Sequence, residues 1–298
     1  MPVQNIDRNH SILSSGISVD ITPSPDLSDA GLNPTFSVTA TDEYGQSQEK
    51  HIAGERPLTI YVNKKEIVTL MTLGTQPEAL VLGYLRNQGF ISNISEIKSV
   101  QVDWETESAA IVTQSKHNWD EKLSQRTITS GCGQGTVFGN MMDQLNNVNI
   151  KSQKTSQSTL YALLTNISKQ NEVYKRAGGV HGCALCKNDQ QLIFVEDVGR
   201  HNAVDTISGL MWLNNISGED KTFYTTGRLT SEMVIKVAQM SVPTLLSRSG
   251  ITQMGLSIAQ QLGVTLIARA KGKHFLIFNG VDNIILDAPP PINRYKKS

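Results

Sequence analysis

The sequence has no excess of charge of either sign, because 27 lysines and arginines balance 27 aspartates and glutamates over 298 residues. This balance provides no general attraction to nucleic acid or to an anionic membrane, so any anion site must be local. The sequence also lacks an apolar run near the roughly 20 residues that cross a bilayer. Its N-terminus lacks the basic and then apolar pattern of a signal peptide. We therefore expect a cytoplasmic protein that binds neither nucleic acid nor membrane.

Cysteine is scarce, with Cys132, Cys183 and Cys186 as its three occurrences. An odd number in a long chain argues against a disulfide framework and for reduced thiols. The C-x-x-C pair, with His181 two residues before it, could bind zinc, form a redox dithiol or line a strand. The sequence has no second C-x-x-C and no H-x-x-x-H to complete a four-ligand zinc site, and Gly182 and Cys183 replace the H-x-E step of zinc deaminases. We expect no metal held by the protein itself.

The composition is otherwise that of a globular protein, with 39% apolar and 18% charged residues. Residues 1–55 are rich in Ser, Asp, Thr, Asn and Pro without a sustained period, which predicts a flexible extension with order beginning near Pro57. Residues 56–125 predict a small mixed α+β unit. Its parts are a hairpin in LTIYVNKKEIVTLMTL, a helix in TQPEALVLGYLRNQGFI with Thr75 as its cap, and two antiparallel strands in IKSVQVDW and SAAIVTQS.

From Ser158 the pattern alternates between helices and strands. Helices are predicted from Ser158 to about Arg176, from about Asn202 to Leu213, and in SEMVIKVAQM and GITQMGLSIAQQL; strands are predicted in QLIFVED, FYTTGR, PTLLSR, VTLIARA and HFLIFN. Strands separated by helices of about 10 to 15 residues favour a mostly parallel sheet with helices on both faces. Residues 158–290 therefore predict an α/β ligand-binding domain, and residues 126–157 a loop and connection before it.

The string ITSGCGQGTVFG places Cys132 among closely spaced glycines. Such a loop lets backbone N–H groups and a thiol approach another molecule, and amides directed at sulfur lower its pKa. This favours a nucleophilic thiolate, with a buried cysteine in a turn as the alternative. Asp197, Arg200, His201 and Asn202 in EDVGRHNAVD lie where a strand ends and a helix begins. His201 could carry a proton or donate a hydrogen bond there, or these residues could be turn, cap and surface groups.

Three further turns each place a cation and a hydroxyl or glycine after a strand, where helix N-termini also point N–H groups. They are TTGRLTSE with Arg228, SRSGITQ with Arg248, and ARAKGKH with Arg269, Lys271 and Lys273. If they converge, they would hold a phosphorylated ligand. The sequence has no G-x-x-x-x-G-K-[ST] and no G-x-G-x-x-G, so neither an ATPase nor a dinucleotide site of the Rossmann type is predicted.

Taken in order, TSGCG, GGVHGCAL, EDVGRHNAVD, TTGRLTSEMV and SRSGITQMGLSIAQQLGVTLIARA resemble the FdhD family of formate dehydrogenase accessory sulfurtransferases, over most of residues 57–280. The resemblance implies a cytidine-deaminase-like, three-layer α/β fold. It also implies a sulfur carrier in which Cys132 receives sulfur from a cysteine desulfurase as a persulfide. The sulfur then passes to the bis-molybdopterin guanine dinucleotide form of the molybdenum cofactor, before that cofactor enters formate dehydrogenase.

The cofactor-binding stretch of the family matches six consecutive residues here, namely Ile267, Ala268, Arg269, Ala270, Lys271 and Gly272. Arg228, Arg248 and His201 are weaker candidates, and a homodimer is expected. Gly135 replaces the second cysteine that many members carry in the sulfur loop, so the relay would use Cys132 alone, which is chemically sufficient. Two alternatives are a molybdenum-cofactor chaperone without sulfur transfer, and a dithiol or zinc protein built on Cys183 and Cys186.

Overall fold

The computed structural model describes residues 24–114, 148 and 150–288. Regular structure begins well before Pro57, with a short strand β1 (Asp26–Leu27) and a hairpin of β2 (Thr35–Thr41) and β3 (Ser47–Ala53). The expected flexible extension is therefore corrected for residues 24–55. Strands β2 and β3 are both largely exposed. Strand β3 is mostly polar, whereas β2 alternates Phe36, Val38 and Ala40 with hydroxyl residues over only seven positions, a short signal that was not assigned to a strand.

The small unit contains a five-stranded sheet in the order β1-β6-β7-β4-β5, covered by one helix. Its elements are β4 (Arg56–Val62), β5 (Lys65–Thr72), α1 (Pro77–Asn87), a 3-10 turn (Ile94–Glu96), β6 (Ile97–Asp103) and β7 (Ser108–Thr113). The predicted hairpin, helix and antiparallel strand pair are confirmed. The helix cap is Gln76 rather than Thr75, without a side-chain capping bond.

The second unit is built on a six-stranded sheet in the order β10-β9-β11-β12-β13-β14. Its elements are β8 (Thr155–Ser156), α2 (Gln157–Ile167), α3 (Glu172–Ala177), β9 (His181–Lys187), β10 (Gln190–Asp197), α4 (Arg200–Leu213), β11 (Thr222–Thr225), α5 (Ser231–Gln239), β12 (Thr244–Ser247), α6 (Gln253–Leu262), β13 (Thr265–Lys271), β14 (His274–Asn279) and β15 (Ile284–Ile285). Helices α4, α5 and α6 share a buried core with one sheet face, and α2 with the other. The predicted layers on both faces are confirmed.

The sheet is mixed rather than mostly parallel. Strand β12 pairs in parallel with β11 and β13, whereas the pairs β10–β9, β9–β11 and β13–β14 are antiparallel. The cause is β9, a strand that the sequence pattern did not predict, which forms a hairpin with β10 and inserts between β10 and β11. The single helix predicted from Ser158 to Arg176 is also corrected, since α2 ends at Ile167 and α3 begins at Glu172.

The two units meet where α1 and α4 cross at glycines. A Cβ atom on Gly83 would lie 1.7 Å from the carbonyl oxygen of Asp205, and one on Gly209 would lie 1.9 Å from that of Ala79. Only glycine permits this backbone contact. No helix within the described residues is long and apolar enough to span a bilayer.

Candidate anion-binding site

The carboxyl ends of β11, β12 and β13 meet at one edge of the sheet, because these neighbouring strands are parallel. Strand β9 runs the opposite way, so its first residue, His181, reaches the same edge. A cavity of about 410 Å³ opens there. It is lined by Asn171, Tyr174, Val180, His181, Gly182, Thr226, Arg248, Ser249 and Arg269. All three predicted turns therefore reach this cavity, but only two of their cations, Arg248 and Arg269, line it; we call this cavity the anion pocket.

Arg269 reaches the anion pocket from a bulge in β13. The pairing of β13 with β14 shifts between Ala268 and Lys271, and Arg269 has a φ of 56°, in the left-handed region. Its backbone N–H donates to the carbonyl of Ser249 at 2.9 Å. Ala268 and Ala270 on either side are buried, whereas Arg269 is exposed. A non-glycine residue held in this region is strained, and such strain clusters at functional sites.

The turn carrying Arg248 is held by hydrogen bonds to the preceding turn. The Arg248 N–H donates to the carbonyl of Thr225 at 3.1 Å, and the Ser247 hydroxyl donates to the carbonyl of Gly227 at 2.6 Å. The Ser249 N–H donates in turn to the Ser247 hydroxyl at 2.9 Å. The position of Arg248 at the pocket is therefore fixed by the backbone.

The positive charge at this edge is not neutralised within the part of the chain that the structure describes. Arg228, Arg248 and Arg269 are all exposed, and no described carboxylate lies within ion-pair distance of them. Guanidinium groups bind phosphate and carboxylate oxygens through paired N–H donors. The pocket is thus suited to an anion that carries several oxygens.

His181 and Thr226 line the pocket beside these cations. The Thr226 hydroxyl accepts from the N–H of Gly182 at 3.1 Å and lies 3.4 Å from Nδ1 of His181. Burial lowers the pKa of His181 below its usual value, and the positive charges of Arg200 and Arg228 lower it further. Arg228 therefore acts on the site electrostatically without lining it.

The six residues of the predicted cofactor-binding stretch divide into three groups. Ile267, Ala268 and Ala270 are buried in the core. Lys271 and Gly272 lie at the exposed turn between β13 and β14, outside the pocket lining. Arg269 is the member whose side chain lines the pocket, so a ligand here would meet that guanidinium, and contact with the other five stays a prediction.

His201 points away from the pocket into a buried polar cluster. Its Nε2 lies 3.2 Å from Oε2 of Glu232, and Nζ of Lys236 lies 2.8 Å from Oδ2 of Asp205. Burial lowers the pKa of His201 to about 3, although Glu232 acts in the opposite direction. The imidazole is therefore neutral and enclosed, and its proposed contact with a ligand stays a prediction without support from this geometry.

Asp197 and Asn202 join the two units. One carboxylate oxygen of Asp197 accepts from the Thr72 hydroxyl at 2.6 Å and from the N–H of Leu73 at 3.2 Å. The other accepts from the Gly199 N–H at 3.0 Å and from Nδ2 of Asn202 at 2.9 Å. These are the structural roles that the sequence left open for this motif.

The three cysteines divide between an undescribed segment and the core. Cys132 lies outside the described residues. Cys183 and Cys186 are both fully buried, and burial raises the pKa of each thiol to about 12. They belong to separate cores on opposite faces of the sheet. Within the described chain, no group of three His, Cys, Asp or Glu side chains could hold a metal. Because they face opposite cores, Cys183 and Cys186 cannot pair as a dithiol or share one metal ion.

The sequence did not predict Tyr174, Asn171 and Thr226 as pocket residues, and it indicated His181 only as a companion of the C-x-x-C pair in zinc binding or redox chemistry. Tyr174 lies in α3 and Asn171 is the residue before it, in a region that was predicted as the C-terminal end of a longer helix. The sequence did contain a signal for the turn after α3, the glycine pair Gly178–Gly179. Both glycines have positive φ angles, 66° and 68°, and they form the turn between α3 and β9. A glycine pair marks a turn, and the turn brings His181 to the sheet edge.

Comparisons with known proteins define the class to which this fold and pocket belong. The sequence profile of the FdhD/NarQ family matches residues 53–285, so the chain belongs to the FdhD/NarQ family. The sulfur carrier protein FdhD of Listeria monocytogenes serotype 4b (strain F2365) is 31% identical over 243 residues, which cover 80% of this chain and 93% of that protein. The protein of the same name from Bacillus subtilis (strain 168) is 31% identical over 238 residues, which cover 79% and 91%.

A solved structure agrees with this assignment. The crystal structure of a protein from Desulfotalea psychrophila, assigned as a formate dehydrogenase accessory protein, matches with a TM-score of 0.68 and 27% sequence identity. The match covers 84% of this chain and 98% of that one. The family expected from the sequence motifs is confirmed.

Proposed function

We propose that this protein is a sulfur carrier that serves formate dehydrogenase. Cys132 takes sulfur from a cysteine desulfurase as a persulfide and passes it to the bis-molybdopterin guanine dinucleotide cofactor before that cofactor enters the dehydrogenase. Family membership and the TSGCG string support the sulfur step. The single observation that carries the ligand step is the meeting of Arg248, Arg269 and His181 in one pocket of about 410 Å³.

The anion pocket suits the nucleotide part of this substrate. A guanine dinucleotide contains a pyrophosphate, whose oxygens match the paired donors of Arg248 and Arg269. The Ser249 hydroxyl also lines the pocket and can donate to a phosphate oxygen. Tyr174, whose side chain is 53% exposed at the rim, offers a ring on which a guanine base stacks.

The sulfur step needs one nucleophile. The Cys132 thiolate attacks the outer sulfur of the desulfurase persulfide, the sulfur–sulfur bond on the desulfurase breaks, and the desulfurase cysteine leaves as a thiolate. The new persulfide on Cys132 keeps the outer sulfur. Cys183 and Cys186 are too buried to act as resolving thiols, so the relay runs through Cys132 alone. We further propose a homodimer in the cytoplasm, with a cytidine-deaminase-like arrangement of the six-stranded sheet and its helices.

Mass spectrometry tests the sulfur step directly. Protein incubated with a cysteine desulfurase and cysteine should gain a sulfur atom on the peptide that contains Cys132. The Cys132→Ala variant should gain none, and Cys183→Ala, a matched cysteine control, should load as the original protein does. Equal loading of Cys132→Ala, or no loading of the original protein, contradicts the sulfur step.

The second candidate is a cofactor chaperone that moves no sulfur, and the anion pocket favours it equally because the pocket needs no thiol. Complementation of a strain that lacks this protein separates the two. A chaperone predicts that Cys132→Ser restores formate dehydrogenase activity, whereas a sulfur carrier predicts that it does not. Arg269→Ala should lower formate dehydrogenase activity under either model, because both need the anion pocket.

A further inference from the structure

His181 is half-buried at the wall of the anion pocket, with Nδ1 of its ring beside the Thr226 hydroxyl. The Thr226 hydroxyl oxygen already accepts the N–H of Gly182, and this oxygen lies 3.4 Å from Nδ1 of His181. The hydroxyl can donate its own proton to Nδ1, and this arrangement favours the tautomer in which Nδ1 is the acceptor. The hydrogen of the neutral ring then sits on Nε2. The ring so held has a single N–H donor to offer to a ligand.

The groups around His181 favour the neutral ring when the pocket is empty. The titratable and charged side chains on the surrounding elements include Tyr174, Glu196, Asp197, Arg200, His201, Arg228, Arg248 and Arg269, with Glu172, Lys175 and Arg176 on α3. Two negative groups lie on β10 beside His181. Asp197 pairs with His181 across the strands, but its carboxylate already accepts four hydrogen bonds from other groups. The Glu196 carboxylate accepts the N–H groups of Val173 and Tyr174 at the start of α3. The positive charges of Arg200 and Arg228 add to burial in lowering the His181 pKa. A bound anion would reverse this balance.

We propose that His181 is a ligand-contacting residue of the anion pocket, donating Nε2–H to a phosphate oxygen of the ligand that Arg248 and Arg269 hold, with Thr226 fixing the ring. The inference rests on the proposed function, because it assumes a phosphorylated substrate in this pocket. The ring of His181, uncharged in the empty pocket, adds an N–H donor to a site whose charged lining groups are the guanidinium groups of Arg248 and Arg269. A phosphate beside the ring also favours the imidazolium, so binding takes up a proton as the pH falls.

Calorimetry on the full chain tests the contact with two probes, GDP and inorganic pyrophosphate. His181→Leu removes the donor and should weaken both probes by about tenfold or more, as expected for a hydrogen bond to a charged group. His181→Gln keeps an N–H donor near the position of Nε2 and should bind within about threefold of the original protein. Because the contact is with phosphate, the loss should not depend on the guanine base.

The pH profile separates ligand contact from a merely structural role. Affinity of the original protein should rise between about pH 8 and pH 6 more steeply than that of His181→Gln, because only the original has an imidazole to protonate. The phosphates titrate equally in both, so the difference isolates His181. Thr226→Val, which lacks the hydroxyl, should weaken binding, whereas Thr226→Ser should not.

Three outcomes overturn the inference. In the first, His181→Leu binds both probes as tightly as the original protein, whereas Arg269→Ala no longer binds them. The pocket then binds phosphate without His181, and the proposed function stands. If His181→Leu does not fold, identical pH profiles for the original protein and His181→Gln overturn it equally. If the original protein binds neither probe, the ligand site of the proposed function fails as well, whereas sulfur loading of Cys132 is measured independently.

Discussion

Cys183 and Cys186 lie on opposite faces of the six-stranded sheet, although only two residues separate them. Side chains alternate along a strand, so positions three apart in β9 point in opposite directions. Cys183 packs in the core beneath α4 and α5, where its thiol donates to the Thr225 hydroxyl at 3.2 Å. Cys186 packs in the core beneath α2. A sulfur–sulfur bond of about 2.05 Å cannot form across the backbone of the strand itself.

This arrangement predicts two unreactive thiols in the folded protein. With a pKa of about 12, each of these thiols is ionised in about one molecule in ten thousand near pH 8, and the thiolate is the reactive form. Alkylation of the native protein followed by peptide mass spectrometry should leave Cys183 and Cys186 unlabelled. Labelling in denaturant is the control, since both should then react fully. Rapid native labelling of either cysteine contradicts the packing described for β9.

A second prediction separates backbone strain from charge at Arg269. A left-handed φ costs a residue with a Cβ about 1–2 kcal/mol and costs glycine almost nothing. Arg269→Gly should therefore be more stable than Arg269→Ala by about 1 kcal/mol in urea unfolding, after allowance for the greater freedom of glycine in the unfolded chain. Both should lose GDP affinity to the same extent, because both lack the guanidinium. If Arg269→Ala is the more stable variant, the bulge does not hold Arg269 as described.

The sequence pattern predicts the parts of this fold that bury alternating apolar residues. The hairpin of β4 and β5, helix α1 and strands β10 to β14 are all found close to their expected positions. It fails for β2 and β3, which are largely exposed and bury few apolar side chains, and for β9, where GGVHGCALC was interpreted as a cysteine motif rather than a strand. Because β9 was not predicted, its two antiparallel pairings were not predicted either, and the sheet was expected to be mostly parallel.

The anion pocket was predictable in part, for a physical reason. Arg248 and Arg269 follow parallel strands, and the carboxyl ends of such strands meet at one edge regardless of the details. His181 and Tyr174 depend instead on the antiparallel course of β9 and on the break between α2 and α3. His201 follows its strand in the same way as the arginines, but helix α4 turns it toward Glu232, and spacing along the chain does not reveal that rotation.

The glycine contact between α1 and α4 gives a third prediction. Alanine normally stabilises a helix relative to glycine by about 1 kcal/mol. At Gly83 or Gly209 the added Cβ would meet a backbone carbonyl oxygen at less than 2 Å, which forces the helices apart. Each alanine variant should lose at least about 3 kcal/mol in urea unfolding. Gln261→Ala, at an exposed position of α6, is the matched control and should change stability little. Normal stability of both glycine variants would show that the helices do not touch there.

The buried polar cluster gives a fourth prediction, which concerns pH. His201 has a folded pKa of about 3, below its usual value of 6.5, so between these values the unfolded chain binds a proton at this ring that the folded chain does not. By linkage, this histidine contributes stability that is present above about pH 6.5 and is lost as the pH falls toward 3. The loss approaches about 1.4 kcal/mol per pH unit when the difference is one full proton.

Urea unfolding at several pH values between about 7 and 4 measures this contribution. His201→Gln cannot titrate, so its stability should fall less steeply with decreasing pH than that of the original protein, whatever its stability at neutral pH. His274→Gln, at an exposed position beside the turn between β13 and β14, is the matched control and should keep the original slope. Lys236 lies between Asp205 and Glu232 in the same cluster, and its positive charge also lowers the pKa of His201. The folded protein would hold a protonated His201 only if the Glu232 carboxylate stabilised the imidazolium more than burial and Lys236 destabilise it. Equal slopes for the original protein and His201→Gln would show that His201 binds its proton equally in the folded and the unfolded protein, which contradicts the lowered pKa.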